Sequence, residues 1–243
     1  MKNYSMEEQF IKYLNSKGVI FETRNNLSKD NNISNQLKII SKFHKIAAGY
    51  REYSGCGLKD GIGKDIEKSK VEMKKFKKII QGIKLMGPEN IFEEALLNMG
   101  YHTFEKAQRA LKISESEKYL GLLKRSMDNG EICIGEPSFK NIWGDNNIRI
   151  SKINKCSYNI VESDGVVFFR RLKRKGYKFN LEGCIDEYCT LENLDQFSRE
   201  YMSSLLTYPY YTIRYCIRYK DKKYNISEID YLNKLTKVVS YDC

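Results

Sequence analysis

The chain has few of the residues and patterns that mark several common protein classes. No run of about 18 apolar residues occurs, so we expect no membrane-spanning helix. Residues 1–10 lack the basic start and apolar centre of a signal peptide, so we expect a protein made and kept inside a cell. Neither of the common glycine-rich nucleotide motifs is present, and the glycine-rich residues 55–63 are interpreted as a linker.

The number and the spacing of the cysteines and histidines also argue against a metal site. The only histidines are His44 and His102, and no two cysteines have C-x-x-C spacing, although zinc sites need such close pairs. We interpret His44 as a structural histidine. The seven cysteines are predicted to be reduced and mostly buried thiols: Cys56, Cys133, Cys156, Cys184, Cys189, Cys216 and Cys243.

Basic residues are in excess, with a formal net charge of +11. Such a chain can bind nucleic acid, anionic lipid or acidic partners. The charge lies mainly in helical patterns such as residues 64–84 and 170–175, where lysines and arginines alternate with buried positions and indicate solvated helix faces. No nucleic-acid module is recognisable, so we expect no specific nucleic-acid partner.

Hydrophobic periodicity predicts a mainly α protein with a small β island near its middle. Strand-like runs occur at 131–134 and 148–153, and a third short strand is possible at 19–21. The tyrosines at 211, 215 and 219 share one helix face and are predicted to pack against a neighbouring helix. The predicted helices are residues 6–17, 33–48, 64–84, 89–98, 102–112, 115–128, 160–174, 180–190, 194–206, 209–220 and 226–239.

Residues 133–141, CIGEPSFKN, resemble the catalytic loop H-G-D-x-x-x-x-N of the aminoglycoside phosphotransferase and choline kinase superfamily. Gly135, the acidic Glu136 and Asn141 stand at the matching spacing. In that superfamily the Asp accepts the proton of the substrate hydroxyl and the Asn helps to hold magnesium. The resemblance implies a protein-kinase-like C-lobe, with a magnesium-binding Asp in a later I-D-F-D segment.

Within the superfamily, the chain is most similar to the spore coat protein S group, over about residues 37–240. The resemblance rests on several short segments in the same order. It implies that residues 37–243 form the helical C-lobe and that residues 1–36 are the remnant of a reduced N-lobe. The matching segments are FHKIAAGY at 43–50, CSYN at 156–159, the run from Asp164 to FFRR at 168–171, and LTYP at 206–209.

The residues that would carry the chemistry depart from the superfamily pattern. Ile134 replaces the His, Glu136 replaces the catalytic Asp, and Lys152 stands where the magnesium-binding Asp is expected. An ammonium group has no acceptor and repels a cation. We therefore interpret Ile134, Glu136, Asn141 and Lys152 as degenerate positions, and expect no catalytic residue, cofactor or metal. We also expect Lys152 to replace the cation by a salt bridge with Glu136.

The resemblance and these departures together predict a catalytically inactive kinase-like protein, a pseudokinase, with a structural or assembly role. By resemblance, it would be made in the cytoplasm and deposited in the bacterial spore coat. Its expected partners are other coat proteins or further copies of itself, with no small-molecule substrate. Two alternatives are left open: an active small-molecule phosphotransferase with an unusual site, and a basic protein that binds nucleic acid or an anionic surface.

Overall fold

The computed structural model describes residues 6–23, 32–51, 58–144, 146–221 and 227–242. Helices dominate this part of the chain, as predicted, and a 3₁₀ turn, Lys112–Glu115, follows the fourth helix. The helices are α1 Met6–Ser16, α2 Ile33–Ala47, α3 Lys64–Met86, α4 Ile91–Leu111, α5 Glu117–Asn129, α6 Glu162–Arg174, α7 Leu181–Glu192, α8 Gln196–Thr207, α9 Tyr210–Lys220 and α10 Glu228–Tyr241.

Two small sheets of two-residue strands accompany the helices in the described residues. In the first, β5 (Arg149–Ile150) pairs in parallel with β1 (Ile20–Phe21) and antiparallel with β4 (Ile142–Trp143). In the second, β6 (Ser157–Tyr158) pairs in parallel with β2 (Lys59–Asp60) and antiparallel with β3 (Ile132–Cys133). The mainly α fold with small sheets is thus confirmed.

The strand-like runs predicted at 131–134 and 148–153 do not pair with each other. Among the described strands, β4 and β5 form a hairpin, whereas β3 pairs with β6, and β1 and β2 come from distant parts of the chain. Two-residue strands carry too little alternation for the sequence to show their partners.

The chain divides into two compact units. The first comprises residues 1–63 and 117–202, and the second comprises residues 64–116 and 203–243. The assignment of residues 1–36 to a remnant N-lobe concerns ancestry and stays a prediction.

The first unit contains both sheets and a core built from amphipathic helices. On α2 the apolar positions Leu37, Ile40 and Phe43 are fully buried, at the spacing that the sequence predicts. Five cysteines of the described residues carry thiols and form no disulfide, and Cys133, Cys156, Cys189 and Cys216 among them are buried. Cys56 and Cys243 lie outside the described residues.

The second unit is helical, with α3 packed against α4 and α9. The tyrosine prediction is confirmed: Tyr215 is buried, and the Tyr219 ring lies 4.1 Å from that of Phe92, centroid to centroid. Helix α4 is continuous where two helices were predicted, because Gly100 does not break it. A Cβ at Gly100 would lie only 2.6 Å from the Ile80 side chain, so the glycine allows α3 and α4 to approach.

Among the described residues, no helix combines the length and the apolar character needed to cross a membrane.

Candidate active site

The loop between β3 and β4 carries three of the four positions that the resemblance singled out, Ile134, Glu136 and Asn141. It leaves β3 through Gly135, whose φ is +69°, in the left-handed region that favours glycine. A Cβ at this position would overlap the carbonyl oxygen of Lys155. The glycine therefore allows the loop to pass directly against the segment between β5 and β6.

Asn141 ties the same two segments together through its buried side-chain amide. Its Oδ1 accepts a hydrogen bond from the Lys152 backbone N–H at 2.9 Å. Its Nδ2 donates to the backbone carbonyls of Glu136 at 3.2 Å and Lys152 at 3.1 Å. The structure thus brings Glu136, Asn141 and Lys152 together. The contacts join the Asn141 side chain to the backbones of the other two residues.

Glu136 is held by two cations, and neither is Lys152. Its carboxylate lies 2.9 Å from Lys155 Nζ and 3.3 Å from Arg171 Nη1. Partial burial alone would raise the pKa of Glu136, but the hydrogen bond from Lys155 and the charge of Arg171 outweigh burial and lower it. Glu136 is therefore an ionised, paired carboxylate.

The expected Lys152–Glu136 salt bridge is wrong. The Lys152 side chain is exposed, and only its backbone groups engage the site. Lys155, three residues further on, supplies the cation because its segment passes against the loop at Gly135.

Ile134 is buried and contributes a backbone donor to the anchoring of the loop. Its N–H donates to Asp164 Oδ2 at 2.6 Å, and the Gly135 N–H donates to Asp164 Oδ1 at 2.9 Å. Asp164 lies in the first turn of α6 and is 1% exposed. One buried carboxylate therefore fixes the start of the loop.

His44 compensates the charge of that carboxylate from α2. Its Nε2 lies 3.0 Å from Asp164 Oδ2, and its Nδ1 lies 2.7 Å from Glu192 Oε1 at the end of α7. Burial alone would lower the pKa of His44, but the two carboxylates raise it to about 10. The sequence did not identify Asp164 and Glu192 as partners of His44, because they lie 120 and 148 residues away from it, beyond any local pattern.

A second, partly buried network of charges is centred on Arg125. Arg125 of α5 lies 2.9 Å from Glu131, before β3, and 2.7 Å from Glu162, at the start of α6. Glu131 also accepts a hydrogen bond from the Val161 backbone at 3.2 Å. The guanidinium thus joins the two segments that frame the loop.

Neither group of possible ligands fits a metal. His44, Cys133 and Asp164 have ligand atoms within 4.8 Å of one another. However, both His44 nitrogens face carboxylates, both Asp164 oxygens accept hydrogen bonds, and the Cys133 thiol donates to the Ile160 carbonyl at 3.0 Å. Lys152, which the resemblance places at the magnesium ligand, offers no side-chain acceptor.

Comparison with known proteins shows the fold alone. No family model matches the chain, and no curated protein matches it. The crystal structure of an aminoglycoside phosphotransferase from Alicyclobacillus acidocaldarius subsp. acidocaldarius superposes with a TM-score of 0.72 at 13% identity, covering 96% of this chain and 77% of that one. The chain therefore has a kinase-like phosphotransferase fold.

Proposed function

We propose that the protein is a catalytically inactive kinase-like protein with a structural or assembly role in the bacterial spore coat. The observation that carries the proposal is the exposed side chain of Lys152, which the resemblance places at the position of the magnesium-binding Asp. Magnesium takes oxygen ligands, preferably carboxylates and phosphates, in a strict octahedral array. A cation at that position removes the ligand and repels the metal that neutralises the nucleotide phosphates.

The state of Glu136 supports the same proposal. A general base works best when its pKa lies near the operating pH. The pKa of Glu136 is instead lowered, and both of its oxygens are occupied by Lys155 and Arg171. In this arrangement the Glu136 carboxylate is part of an ion-pair cluster on the loop.

The groups that shape the loop match the superfamily better than the groups that would react. Gly135 and Asn141 are present and hold the loop in place, and Asp164 anchors it. The residues at the positions of the His, the base and the magnesium-binding Asp are changed, whereas the Asn that helps to hold magnesium in the superfamily is retained as Asn141. This contrast favours a protein that has retained the fold without the phosphoryl-transfer activity. The spore coat role rests on the resemblance to the spore coat protein S group, with other coat proteins or further copies as the proposed partners.

Thermal unfolding with magnesium and ATP tests the loss of activity. A ligand at about a hundredfold its dissociation constant stabilises a protein by about 2.7 kcal/mol, a shift of several degrees. We expect no shift and no ATP turnover. A magnesium-dependent shift together with turnover would instead support the second candidate, an active phosphotransferase, which the enzyme of similar fold favours.

Two matched variants sharpen this test. Lys152→Asp places a carboxylate at the ligand position, whereas Lys140→Asp makes the same charge change at another exposed lysine of the loop. We expect a gain in magnesium affinity for Lys152→Asp alone. Equal gains in both variants would show a general charge effect and remove the argument from Lys152.

The proposed location has a separate test. A fluorescent fusion expressed in sporulating cells of the source organism should collect at the spore surface. Fluorescence that stays dispersed in the mother cell would contradict the coat role without bearing on catalysis.

A further inference from the structure

Helix α3 presents an outward face on which lysines and aliphatic side chains alternate. Val71, Lys78 and Leu85 recur every seven residues along the line opposite to the buried Ile66, Phe76 and Ile83. Val71 is 52% exposed, Leu85 is 86% exposed and the adjacent Met86 is 81% exposed. Lys74 and Lys75 lie beside this line and are also exposed.

Beyond the first turn of α3, which carries the exposed acids Asp65 and Glu67, the exposed charges of the helix have one sign. Between residues 68 and 86 the exposed charged side chains of α3 are all lysines: Lys68, Lys74, Lys75, Lys77, Lys78 and Lys84. The single acid in that stretch, Glu72, is partly buried and lies 3.4 Å from Arg214 of α9. The face therefore carries a concentrated positive potential.

A shallow groove of about 250 Å³ adjoins the face in the second unit. Its lining includes the apolar Ile79, Ile83 and Met86, with Lys78 and Lys220 as its cationic side chains. Of its two acids, Glu93 accepts the Glu89 backbone N–H at 3.0 Å and is buried, whereas Glu89 is exposed. An apolar groove with two ammonium groups suits an amphiphile with an anionic head.

We propose that this face of α3 docks onto the surface of an anionic lipid bilayer, with the helix lying in the plane of the interface. The lysines meet the anionic headgroups, and Val71, Leu85 and Met86 enter the boundary of the acyl chains. Interfacial helices combine these two features, a cationic polar face and aliphatic side chains that insert. The inference stands apart from the proposed function, because it concerns a surface of the second unit.

The chemistry of the face favours lipid over nucleic acid. Protein surfaces that bind nucleic acid use arginine forks on phosphates and aromatic rings on bases. Helix α3 contains no arginine, and its one aromatic residue, Phe76, is fully buried. Exposed Leu85 and Met86 gain nothing from a phosphate backbone but gain from leaving water at a bilayer.

Co-sedimentation with lipid vesicles tests the proposal. We expect the protein to bind vesicles that contain phosphatidylglycerol and not vesicles of phosphatidylcholine alone. Each lysine near an anionic surface changes the partition by about fivefold, so Lys74→Gln/Lys75→Gln/Lys78→Gln should lose on the order of a hundredfold. The matched control, Lys124→Gln/Lys140→Gln/Lys178→Gln, removes three exposed lysines of the first unit and should lose only a few fold.

A separate variant tests the contribution of the exposed aliphatic side chains to vesicle binding. Leu85→Ser/Met86→Ser keeps all charges and should weaken vesicle binding by about tenfold. Both side chains are exposed, so these changes leave the core intact, which circular dichroism would verify. Absence of binding to the anionic vesicles, or an equal loss in the control triple variant, would overturn the proposal. Unchanged affinity of the serine variant, with vesicle binding blocked by duplex DNA, would show a general polyanion surface instead.

A fluorescent reporter gives an independent readout. The one tryptophan, Trp143, lies in the first unit, so a Trp143→Phe/Leu85→Trp variant reports from the tip of α3 alone. We expect its emission to shift to the blue on anionic vesicles. Emission that stays unchanged while the protein sediments would show that Leu85 does not enter the interface and would overturn the inserted geometry.

Discussion

His44 in its charged form donates one N–H to each of two buried carboxylates. Asp164 holds the backbone of the loop, and Glu192 ends α7, so the imidazolium links three segments of the first unit. Burying these two anions without a cation would carry a large desolvation cost. The charged form of His44 is therefore part of the folded structure.

The pKa of His44 gives a pH-dependent prediction. The folded-state value is raised from 6.5 to about 10, so its stabilisation is complete below about pH 6.5 and is lost as the pH rises through about 10. Near pH 6.5 we expect His44→Gln to lower the free energy of unfolding by about 3–5 kcal/mol, because two buried carboxylates lose their partner. The deficit should shrink as the pH approaches 10, which urea unfolding across this range would measure.

The control for this prediction is the other histidine. His102 is exposed, so His102→Gln should change the free energy of unfolding by no more than about 0.5 kcal/mol at any of these pH values. A deficit for His44→Gln that stays constant with pH would show that His44 is neutral and acts through packing alone.

At the scale of an element, the loop between β3 and β4 depends on a close approach of two backbones. Gly135→Ala would force an alanine into the left-handed region and against the Lys155 carbonyl. We expect a loss of at least about 2 kcal/mol in the free energy of unfolding, from chemical denaturation. Gly121→Ala, on an exposed face of α5 with no atom near its Cβ, should instead stabilise by about 0.5–1 kcal/mol.

Comparison of the two variants separates the effect of the constrained backbone at Gly135 from the general effect of replacing a glycine by an alanine. If both alanine variants stabilised the protein, the loop could not pass as closely as the geometry describes. A loss at Gly121 would show that α5 is not helical there.

The helices were largely predictable, because the apolar residues of an amphipathic helix recur at helical spacing in the sequence. The predicted 33–48, 64–84 and 115–128 correspond to α2 Ile33–Ala47, α3 Lys64–Met86 and α5 Glu117–Asn129. The pairing of the short strands was not predictable, since β1 and β2 join partners more than 90 residues away. Pairing depends on long-range packing, which a local pattern does not encode.

The spacing of Gly135, Glu136 and Asn141 directed attention to the loop between β3 and β4, but it did not predict the contacts made there. The partner of Glu136 was predicted as Lys152, but Lys155 and Arg171 take that place. Which of several nearby cations reaches a carboxylate depends on backbone path and side-chain direction, and the sequence alone fixes neither.

At the scale of the whole molecule, the two units carry different kinds of charge arrangement. In the first, charges are buried in networks around His44 and Arg125. In the second, α3 exposes a row of lysines. Buried ion-pair networks stabilise one conformation. An exposed row of lysines instead raises the positive electrostatic potential that an anionic partner encounters.

The net charge of +11 predicts some affinity for DNA, and its distribution predicts that this affinity is weak and unspecific. Exposed lysines neutralise phosphates and release counterions, so the logarithm of the binding constant should fall linearly with the logarithm of the salt concentration. Phosphate contacts carry no sequence information, so duplexes of unrelated sequence should bind with closely similar affinity. Fluorescence anisotropy with two such duplexes across a salt series measures both properties.

The Leu85→Ser/Met86→Ser variant should bind DNA as the wild type does, because it keeps every lysine of α3. Discrimination between the duplexes by about a hundredfold at physiological salt would contradict this prediction, because such a ratio requires contacts to base edges.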